Sequence, residues 1–303
     1  MLFKYNAEVT MEKFAPLNMT PEEIADYTPE WTGERFPDGR PKVSDALLDR
    51  VQHVSLTQAW GVLHGAGYQW QYEDGFMATH PGETLVGRAL TAMYMPRRPD
   101  MRVLMEAKGA RSGCIGDQIS WPIDMLVPGD VYIADVYGKH EQGPIMGDNL
   151  ATAIYAKSGR GVVHHASVRD LEGIEEIAGF ASYVRGFHPT YASPTIMLVG
   201  VNCPVRIGQV TVMPGDVVLG KYDGVTFIPP HLVEQVVKTS ELIRLRDVFG
   251  KQRLREGAYT PGEIDRKWDD HIEADFSRWL EDHIDELPVT KDAIQELLKE
   301  RTW

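Results

Sequence analysis

The amino-acid sequence predicts an α/β protein, and three observations support this fold class. Apolar strands alternate with helical segments between residues 130 and 180, short strands separated by Gly and Pro turns follow them, and 43% of the 303 residues are hydrophobic. The strand–helix–strand–helix order favours parallel pairing in part of the sheet. A chain of this length and composition can bury a core of its own.

The first 45 residues contain scattered prolines and little periodicity, as in TPEEIADYTPEWTGERFPDGRPK, which predicts an extended N-terminal arm with short helical turns. From Val43 onward, apolar residues recur at helical intervals interrupted by glycines, which favours one or two helices. The segment LVGRALTAMYM (85–95) has the content of a strand and is ended by Pro96.

The middle of the chain supplies the alternating elements. We predict strands at 130–138 and 161–166 and helices at 149–158 and 171–180. The short strands of 195–230 should pair more locally, because no helix separates them. The stretches PGDVYIADVYG (128–138) and PGDVVLGKYDG (214–224) both begin with a turn that leads into a strand; they reflect either a common turn sequence or a duplication.

Beyond Pro230 the sequence becomes charged and helical, with an apolar stripe formed by Ile272, Phe276, Trp279 and Leu280. This stripe must pack on something, either across a subunit interface or within the same subunit. We therefore divide the chain into an N-terminal arm (1–45), an α/β catalytic domain (46–232) and a C-terminal helical extension (233–303).

The charge balance argues against polyanionic partners. Lys and Arg number 31 against 44 Asp and Glu, and the net charge of -13 opposes nonspecific attraction to nucleic acid and to anionic membranes. The N-terminal stretch lacks the pattern of a secretory signal, and no window reaches the length of a membrane span, so we expect a cytoplasmic protein without nucleic-acid or membrane partners. Cys114 and Cys203 form no Cys-x-x-Cys pattern and are expected to be ordinary thiols.

The segment GDNLATAIYAKSGRGVVHHASVRD (147–170) contains the candidate site. Asp148 is a favourable N-cap for the predicted helix, and Gly159 stands where the helix should end. Backbone N–H groups of Asn149 and Leu150 then lie at the positive end of the helix, which suits an anion such as a carboxylate. The alternative is that Asp148 only caps the helix.

Arg169 and Asp170 follow the next strand, at the sheet edge where ligands bind in α/β proteins. The Arg fork suits a carboxylate, and the Asp oxygens suit Mg²⁺ or Mn²⁺. The alternative is a solvated pair, or a cap of the following helix. His164 and His165 should point to opposite faces of the strand, so that one of them could contact the substrate and the other would be structural.

Two segments, GDNLATAIYAKSGRGVVHHASVRDLEGI and VTVMPGDVVLGKYDGVTFIPP, resemble the RraA-like family, which contains 4-hydroxy-4-methyl-2-oxoglutarate/4-carboxy-4-hydroxy-2-oxoadipate aldolases and RNase E activity regulator-like proteins. The resemblance spans about residues 45–245 and rests mainly on an Asp separated by twenty residues from an Arg-Asp pair. It implies a swivelling phosphohistidine-domain-like α/β sandwich. It also implies a homotrimer or homohexamer with sites between subunits.

The resemblance further implies that Asp170 holds a divalent metal, Mg²⁺ or Mn²⁺, and that Arg169 binds the substrate. The substrate carboxylate would be received at the start of the helix, by Gly147, Asp148, Asn149 and Leu150. The chain departs from many relatives in having His165-Ala166 before this turn and Gln58 in the first helical segment, and both changes alter the pocket lining.

We hypothesise a metal-dependent lyase, an aldolase or decarboxylase, that cleaves a 4-hydroxy-2-oxo acid to pyruvate through a metal-stabilised enolate. Arg169, Asp148 and His165 are the candidate catalytic residues: Arg169 would neutralise developing charge, and Asp148 or a water would move the proton. A methyltransferase is disfavoured, because the sequence lacks a Gly-rich nucleoside-binding loop followed by an acidic residue. The alternatives are a non-catalytic regulator of an RNA-processing enzyme, and a sugar-acid dehydratase on the same scaffold.

Overall fold

The computed structural model describes residues 18–284 together with 287, 289 and 294. The prediction of an extended arm therefore lies, for residues 1–17, outside the described part of the chain. The chain divides into two compact units, Met1–Glu234 and Gln235–Trp303. Within the described residues, none of the helices combines the length and the apolar composition needed to cross a membrane.

The helices of the described residues are α1 (Pro21–Tyr27), α2 (Asp45–Val51), α3 (Leu56–Gly65), α4 (Pro99–Arg111), α5 (Trp121–Asp124), α6 (Asp148–Ser158), α7 (Leu171–Glu175), α8 (Val233–Glu256), α9 (Pro261–Ile264) and α10 (Asp270–His283). The strands are β1 (Tyr72–Glu73), β2 (Met77–Ala78), β3 (Leu85–Pro96), β4 (Asp130–Lys139), β5 (Val162–Val168), β6 (Ser182–Phe187), β7 (Ile196–Val201), β8 (Val205–Ile207), β9 (Val210–Val212), β10 (Val217–Lys221) and β11 (Gly224–Ile228).

A nine-stranded mixed sheet organises the described part of the first unit, in the order β1-β11-β10-β3-β4-β5-β6-β2, with β7 also paired to β3. The pairs β3–β4, β4–β5 and β5–β6 are parallel. Parallel pairing brings the carboxyl ends of these strands to one edge of the sheet. The predicted mixed α/β class with parallel pairing and C-terminal helices is confirmed, whereas the phosphohistidine-domain-like description stays a prediction.

Cores lie on both faces of the sheet, because successive side chains of a strand alternate. On β4, Tyr132 and Ala134 join the core that contains Ile154 of α6, whereas Val131 and Ile133 join the core formed with the β8–β9 hairpin. The middle strands are therefore apolar on both faces, as is typical of buried parallel strands.

The prediction of local pairing after residue 195 is correct for the hairpins β8–β9 and β10–β11 but incomplete. Both β10 and β7 pair with β3, which lies more than a hundred residues earlier. Strand β3 is twelve residues long, so one edge accommodates β10 along residues 85–88 and β7 along residues 92–96, with a register shift inside the β7 pairing between Met93 and Tyr94.

The helix predicted at 171–180 is wrong in length, because α7 ends at Glu175. The chain instead turns toward β6: Phe180 N–H donates to Ile177 O at 3.1 Å, and Gly179 adopts a φ of 81°. A positive φ of this kind interrupts a right-handed helix.

The described part of the second unit is held together by an aromatic cluster. The ring of Phe249 lies 5.3 Å from the rings of Trp268 and Phe276 and 5.7 Å from that of Trp279. The predicted apolar stripe of α10 is confirmed as buried, since each of its four residues is at most 2% exposed. Arg253 and Asp275 add an ion pair with a distance of 2.8 Å between Nε and Oδ2.

Candidate functional site

The start of α6 is built on a glycine. Gly147 occupies the N-cap position with an extended backbone, and its carbonyl accepts the first helical hydrogen bond, from Ala151 N–H at 2.9 Å. The sequence placed Asp148 at the N-cap, and this assignment is wrong by one residue, because Asp148 already lies in the first helical turn. Its carboxylate accepts a hydrogen bond from Asn149 N–H at 2.7 Å.

The end of β5 meets this helix start. Arg169 N–H donates to Met146 O at 3.1 Å, which fixes the chain directly after β5 beside the residue that precedes Gly147. A side-chain carbon placed on Gly147 would lie 2.3 Å from Asp170 Oδ2 and 3.2 Å from Arg169 Nε. The absence of a side chain at residue 147 is therefore what allows Arg169 and Asp170 to reach the helix terminus.

Asp170 has an unusual backbone and a carboxylate that does not cap a helix. It stands at the N-cap position of α7 with φ 57° and ψ 48°, a left-handed conformation that few non-glycine residues adopt, and its side chain makes no capping hydrogen bond. Asp170 Oδ2 lies 3.5 Å from Arg169 Nε, and both side chains are 43% exposed. The carboxylate is thus positioned at the helix start of α6 and accessible to solvent.

The side chain of Asp148 packs against the first turn of α7. A side-chain carbon on Gly173 would lie 2.7 Å from Asp148 Cβ and 2.8 Å from its Oδ2. Because the first N–H groups of a helix have no intrahelical partner, those of Asp148 and Leu150 have none within α6. The site thus combines two carboxylates, one guanidinium and the positive end of an eleven-residue helix.

The two histidines of β5 point to opposite faces, as the sequence predicted. His164 is fully buried, its ring lies edge-on to Tyr132 at 5.0 Å, and burial lowers its pKa to about 3, so that it is a neutral core residue. His165 faces the β8–β9 side, where its Nδ1 lies 3.7 Å from Asp135 Oδ1. These contacts are on the face opposite α6, so a catalytic role of His165 stays a prediction.

Two further histidines, which the sequence reasoning did not select, lie at the same edge of the sheet. His188 N–H donates to Val168 O at 3.0 Å, directly before Arg169, and the rings of His188 and His140 lie 5.7 Å apart. Both residues directly follow strands of the parallel set, His140 after β4 and His188 after β6. The rule that ligand-binding residues follow strand ends could therefore have found them.

The donor set fits a magnesium-like ion held mainly by water. Within the described residues, no group of three or more His, Cys, Asp and Glu side chains is arranged to hold a metal. Mg²⁺ commonly uses one or two protein carboxylates and keeps several water ligands. Asp170, whose carboxylate is accessible and not used as a cap, fits such a role.

Sequence relatives differ in size and name. The chain is 26% identical over 215 residues to protein DlpA of Legionella pneumophila, a match that covers 70% of this chain and 32% of that protein. A Halalkalibacterium halodurans protein, provisionally named 4-hydroxy-4-methyl-2-oxoglutarate aldolase, is 30% identical over 114 residues, which is 38% of this chain and 53% of the relative. The chain therefore spans between about a third and three-fifths of the curated relatives that it matches.

Solved structures share the fold. An uncharacterised protein of Pseudomonas syringae has a TM-score of 0.60 at 20% identity, covering 74% of this chain and 98% of its own. A Streptomyces coelicolor member of the RNase ES inhibitor RraA family has a TM-score of 0.58 at 24% identity, covering 70% and 98%. The RraA-like family model, described as Aldolase/RraA, matches residues 41–227. The matched region contains the whole Gly147–Asp170 site, and the chain belongs to the RraA-like (Aldolase/RraA) family.

Proposed function

We propose that this protein is a divalent-metal-dependent lyase that cleaves a 4-hydroxy-2-oxo acid to pyruvate, and that it also decarboxylates oxaloacetate. The observation that carries the proposal is the meeting of the Asp170 carboxylate and the Arg169 guanidinium at Gly147, the start of α6. The provisional aldolase name of the H. halodurans relative supports the same reaction class.

The helix start and Arg169 bind the anionic end of the substrate. The N–H groups of Asp148 and Leu150 have no partner within α6, and the helix dipole favours a negative charge at this position. Arg169 adds a planar donor group suited to a carboxylate. Its 43% exposure leaves that group accessible to a ligand. Binding at these donors orients the 2-oxo acid against the Asp170 carboxylate.

Asp170 would hold Mg²⁺ or Mn²⁺ through its accessible carboxylate, with water completing the coordination. A divalent cation bound there acts as a Lewis acid that makes negative charge on the ketone oxygen less costly. The missing side chain at Gly147 leaves room for the Asp170 carboxylate beside the start of α6 before a ligand binds.

Asp148 accepts the proton of the substrate 4-hydroxyl as the bond between C3 and C4 breaks. The electron pair of that bond stays with the three-carbon fragment, which takes up a proton at C3 to give pyruvate. The carbonyl formed at C4 leaves with the other product. Arg169 offsets the negative charge that develops on the pyruvate fragment.

The test measures pyruvate release from 4-hydroxy-2-oxo acids and oxaloacetate in the presence of Mg²⁺ or Mn²⁺, with sugar-acid derivatives in the panel. We expect Asp170→Ala to lower kcat/KM by about 10²-fold or more, because it removes the metal-holding carboxylate. Glu172→Ala is the matched control, since it removes a neighbouring exposed carboxylate of α7. Turnover of Asp170→Ala equal to that of the wild type would remove Asp170 from the mechanism.

A second candidate function is a protein-binding regulator of an RNA-processing enzyme. The net charge of -13 suits the basic segments of such a partner, and the S. coelicolor neighbour is an RNase ES inhibitor family member. Capture of a purified nuclease together with no heat of Mg²⁺ or Mn²⁺ binding in calorimetry favours the regulator. Metal binding that requires Asp170 favours the lyase.

We also propose a homotrimer or homohexamer as the assembled state. Sedimentation equilibrium of the full chain would measure the subunit number directly.

A further inference from the structure

A cavity of about 420 Å³ lies in the first unit and shares no lining residue with the Arg169–Asp170 site. Residues of the N-terminal arm, among them Tyr27 and Trp31, form one wall, and Tyr68 and Pro229 contribute others. Its volume is in the range of small-molecule sites, which combine apolar walls with a few polar groups.

Asp216 lines this cavity and is only 2% exposed. Its Oδ2 accepts a hydrogen bond from Met213 N–H at 2.8 Å, and no side chain of the described residues forms an ion pair with this carboxylate. Burial raises the pKa of Asp216 to about 7, and no positively charged side chain counters this effect. A buried carboxylate of this kind lacks the partner that would normally compensate its charge.

Asp130 stands in the other Pro-Gly-Asp turn at the position that corresponds to Asp216, and unlike Asp216 it has an arginine partner. Asp130, which is fully buried, accepts from Val127 N–H at 3.1 Å just as Asp216 accepts from Met213 N–H. Asp130 is also bound by both terminal nitrogens of Arg40 at 3.0 Å, so that its charge is compensated within the chain. The same turn at residues 214–216 therefore presents a carboxylate without its cation.

The other groups around the cavity also favour a cation. Glu30 adds a second carboxylate, and the negative charges of both Glu30 and Asp216 help to raise the pKa of Tyr68, after the larger effect of burial. None of the described residues that line the cavity is Lys or Arg. Arg35, on the arm, donates to oxygens of Thr28 and to backbone carbonyls rather than to either carboxylate.

The aromatic side chains of the cavity suit both the charged group and the apolar body of an organic cation. Tyr27, Trp31 and Tyr68 all line the cavity, and the Tyr68 hydroxyl lies 3.3 Å from His231 Nε2. The faces of Trp and Tyr rings attract ammonium groups, and sites that recognise quaternary ammonium ions are built from such residues.

We infer that this cavity binds an organic cation, a protonated or quaternary amine with an apolar body, whose charge takes at Asp216 the place that Arg40 takes at Asp130. The inference is independent of the proposed lyase activity, since the two sites share no residue. Binding an organic cation here would give the protein a second ligand, distinct from a 2-oxo acid.

The experiment titrates the full-length protein with choline and phenethylamine in calorimetry, with 3,3-dimethylbutan-1-ol as the uncharged isostere of choline. We expect saturable binding of at least one cation, and choline should bind at least about tenfold more tightly than the alcohol, because the uncharged alcohol gains neither the attraction of the Asp216 charge nor that of the ring faces for a cation. Equal binding of the alcohol, or no saturable binding of either cation, would overturn the inference.

Variants then locate the binding site. Asp216→Asn keeps an acceptor for Met213 N–H and removes the negative charge, so it should weaken cation binding by about tenfold. Trp31→Leu should weaken it by roughly threefold to tenfold through loss of the ring face. Glu34→Gln is the matched control, since Glu34 lies on the same arm and pairs with Lys42 outside the cavity lining. Unchanged affinity in both Asp216→Asn and Trp31→Leu, each verified as folded by circular dichroism, would refute the assignment.

Discussion

Replacing Gly147 by Ala tests the site without removing any of its functional groups. The backbone of Gly147 is extended, with φ −120° and ψ −170°, so that alanine adopts it without strain. The added carbon would nevertheless lie 2.3 Å from Asp170 Oδ2, where ordinary contact begins at 3.4 Å. The clash falls on the ends of two flexible side chains, and the fold can therefore relieve it by moving them.

The size of the effect follows from that distance. The Asp170 carboxylate must retreat by about 1 Å to reach ordinary contact with the new carbon. A displacement of about 1 Å at a catalytic group can cost on the order of 10²-fold in rate. The folding cost is small by comparison, up to about 1 kcal/mol, because Gly is the better N-cap residue than Ala. This corresponds to a Tm lower by roughly 1–2 °C for a chain of this size.

The assay compares kcat/KM for pyruvate release and the calorimetric affinity for Mn²⁺ in the wild type and in Gly147→Ala, alongside a thermal melt. We expect kcat/KM and Mn²⁺ affinity to fall together while the melt shifts only slightly. Gly61→Ala is the matched control, because a side-chain carbon on Gly61 of α3 has open space around it. Wild-type kcat/KM and Mn²⁺ affinity in Gly147→Ala would refute the placement of the reaction at this helix start.

Two further predictions concern stability. Burial raises the pKa of Asp216 from 3.8 to about 7, so the wild type loses stability as the pH rises from about 4 to 7 and the folded protein must release this proton. Asp216→Asn cannot ionise and should remove that loss, which is on the order of 4 kcal/mol at most. Urea unfolding across this pH range measures the difference, and identical pH profiles of the two proteins would contradict the prediction. Phe249→Ala should destabilise the second unit by about 3–5 kcal/mol in urea unfolding, because it leaves a cavity among the rings of Tyr259, Trp268, Phe276 and Trp279. Val248→Ala, at an exposed neighbour, should cost far less, and equal costs would contradict this account of the core.

The elements that position the site could be predicted from short-range patterns. The apolar run of β5 and the glycine after α6 give the strand and the helix their ends, and the parallel order of strands brings those ends to one sheet edge. The juxtaposition of Arg169, Asp170 and the α6 start follows from this topology. The sequence-based prediction placed the N-cap one residue late, at Asp148, because Asp is a strongly preferred capping residue. The glycine at residue 147 is explained only by its three-dimensional contact with Asp170.

Other features depended on contacts that periodicity does not reveal. Helix α4 was not predicted, because its sequence PDMRVLMEAKGAR has no clear apolar stripe. Its buried face includes Arg102, which donates to the carbonyls of Ser193 at 2.7 Å and Ile196 at 3.0 Å. The two Pro-Gly-Asp turns were likewise alike in sequence, and only the long-range pairing of Arg40 with Asp130 separates them.

The residues at the starts of α6 and α7 are not those that would stabilise these helices best. Helices α1 and α3 begin with capping boxes at Thr20 and Ser55, whereas α6 begins at Gly147 without a side-chain cap. Asp170 is a good capping residue that adopts a left-handed backbone and does not cap α7. Such departures, a favourable cap unused and a residue held in a sparsely populated conformation, are typical of functional sites. Because both occur at the one point where Gly147 contacts Asp170, optimising α6 for stability with a Ser or Asp at residue 147 would displace the carboxylate on which the proposed chemistry depends.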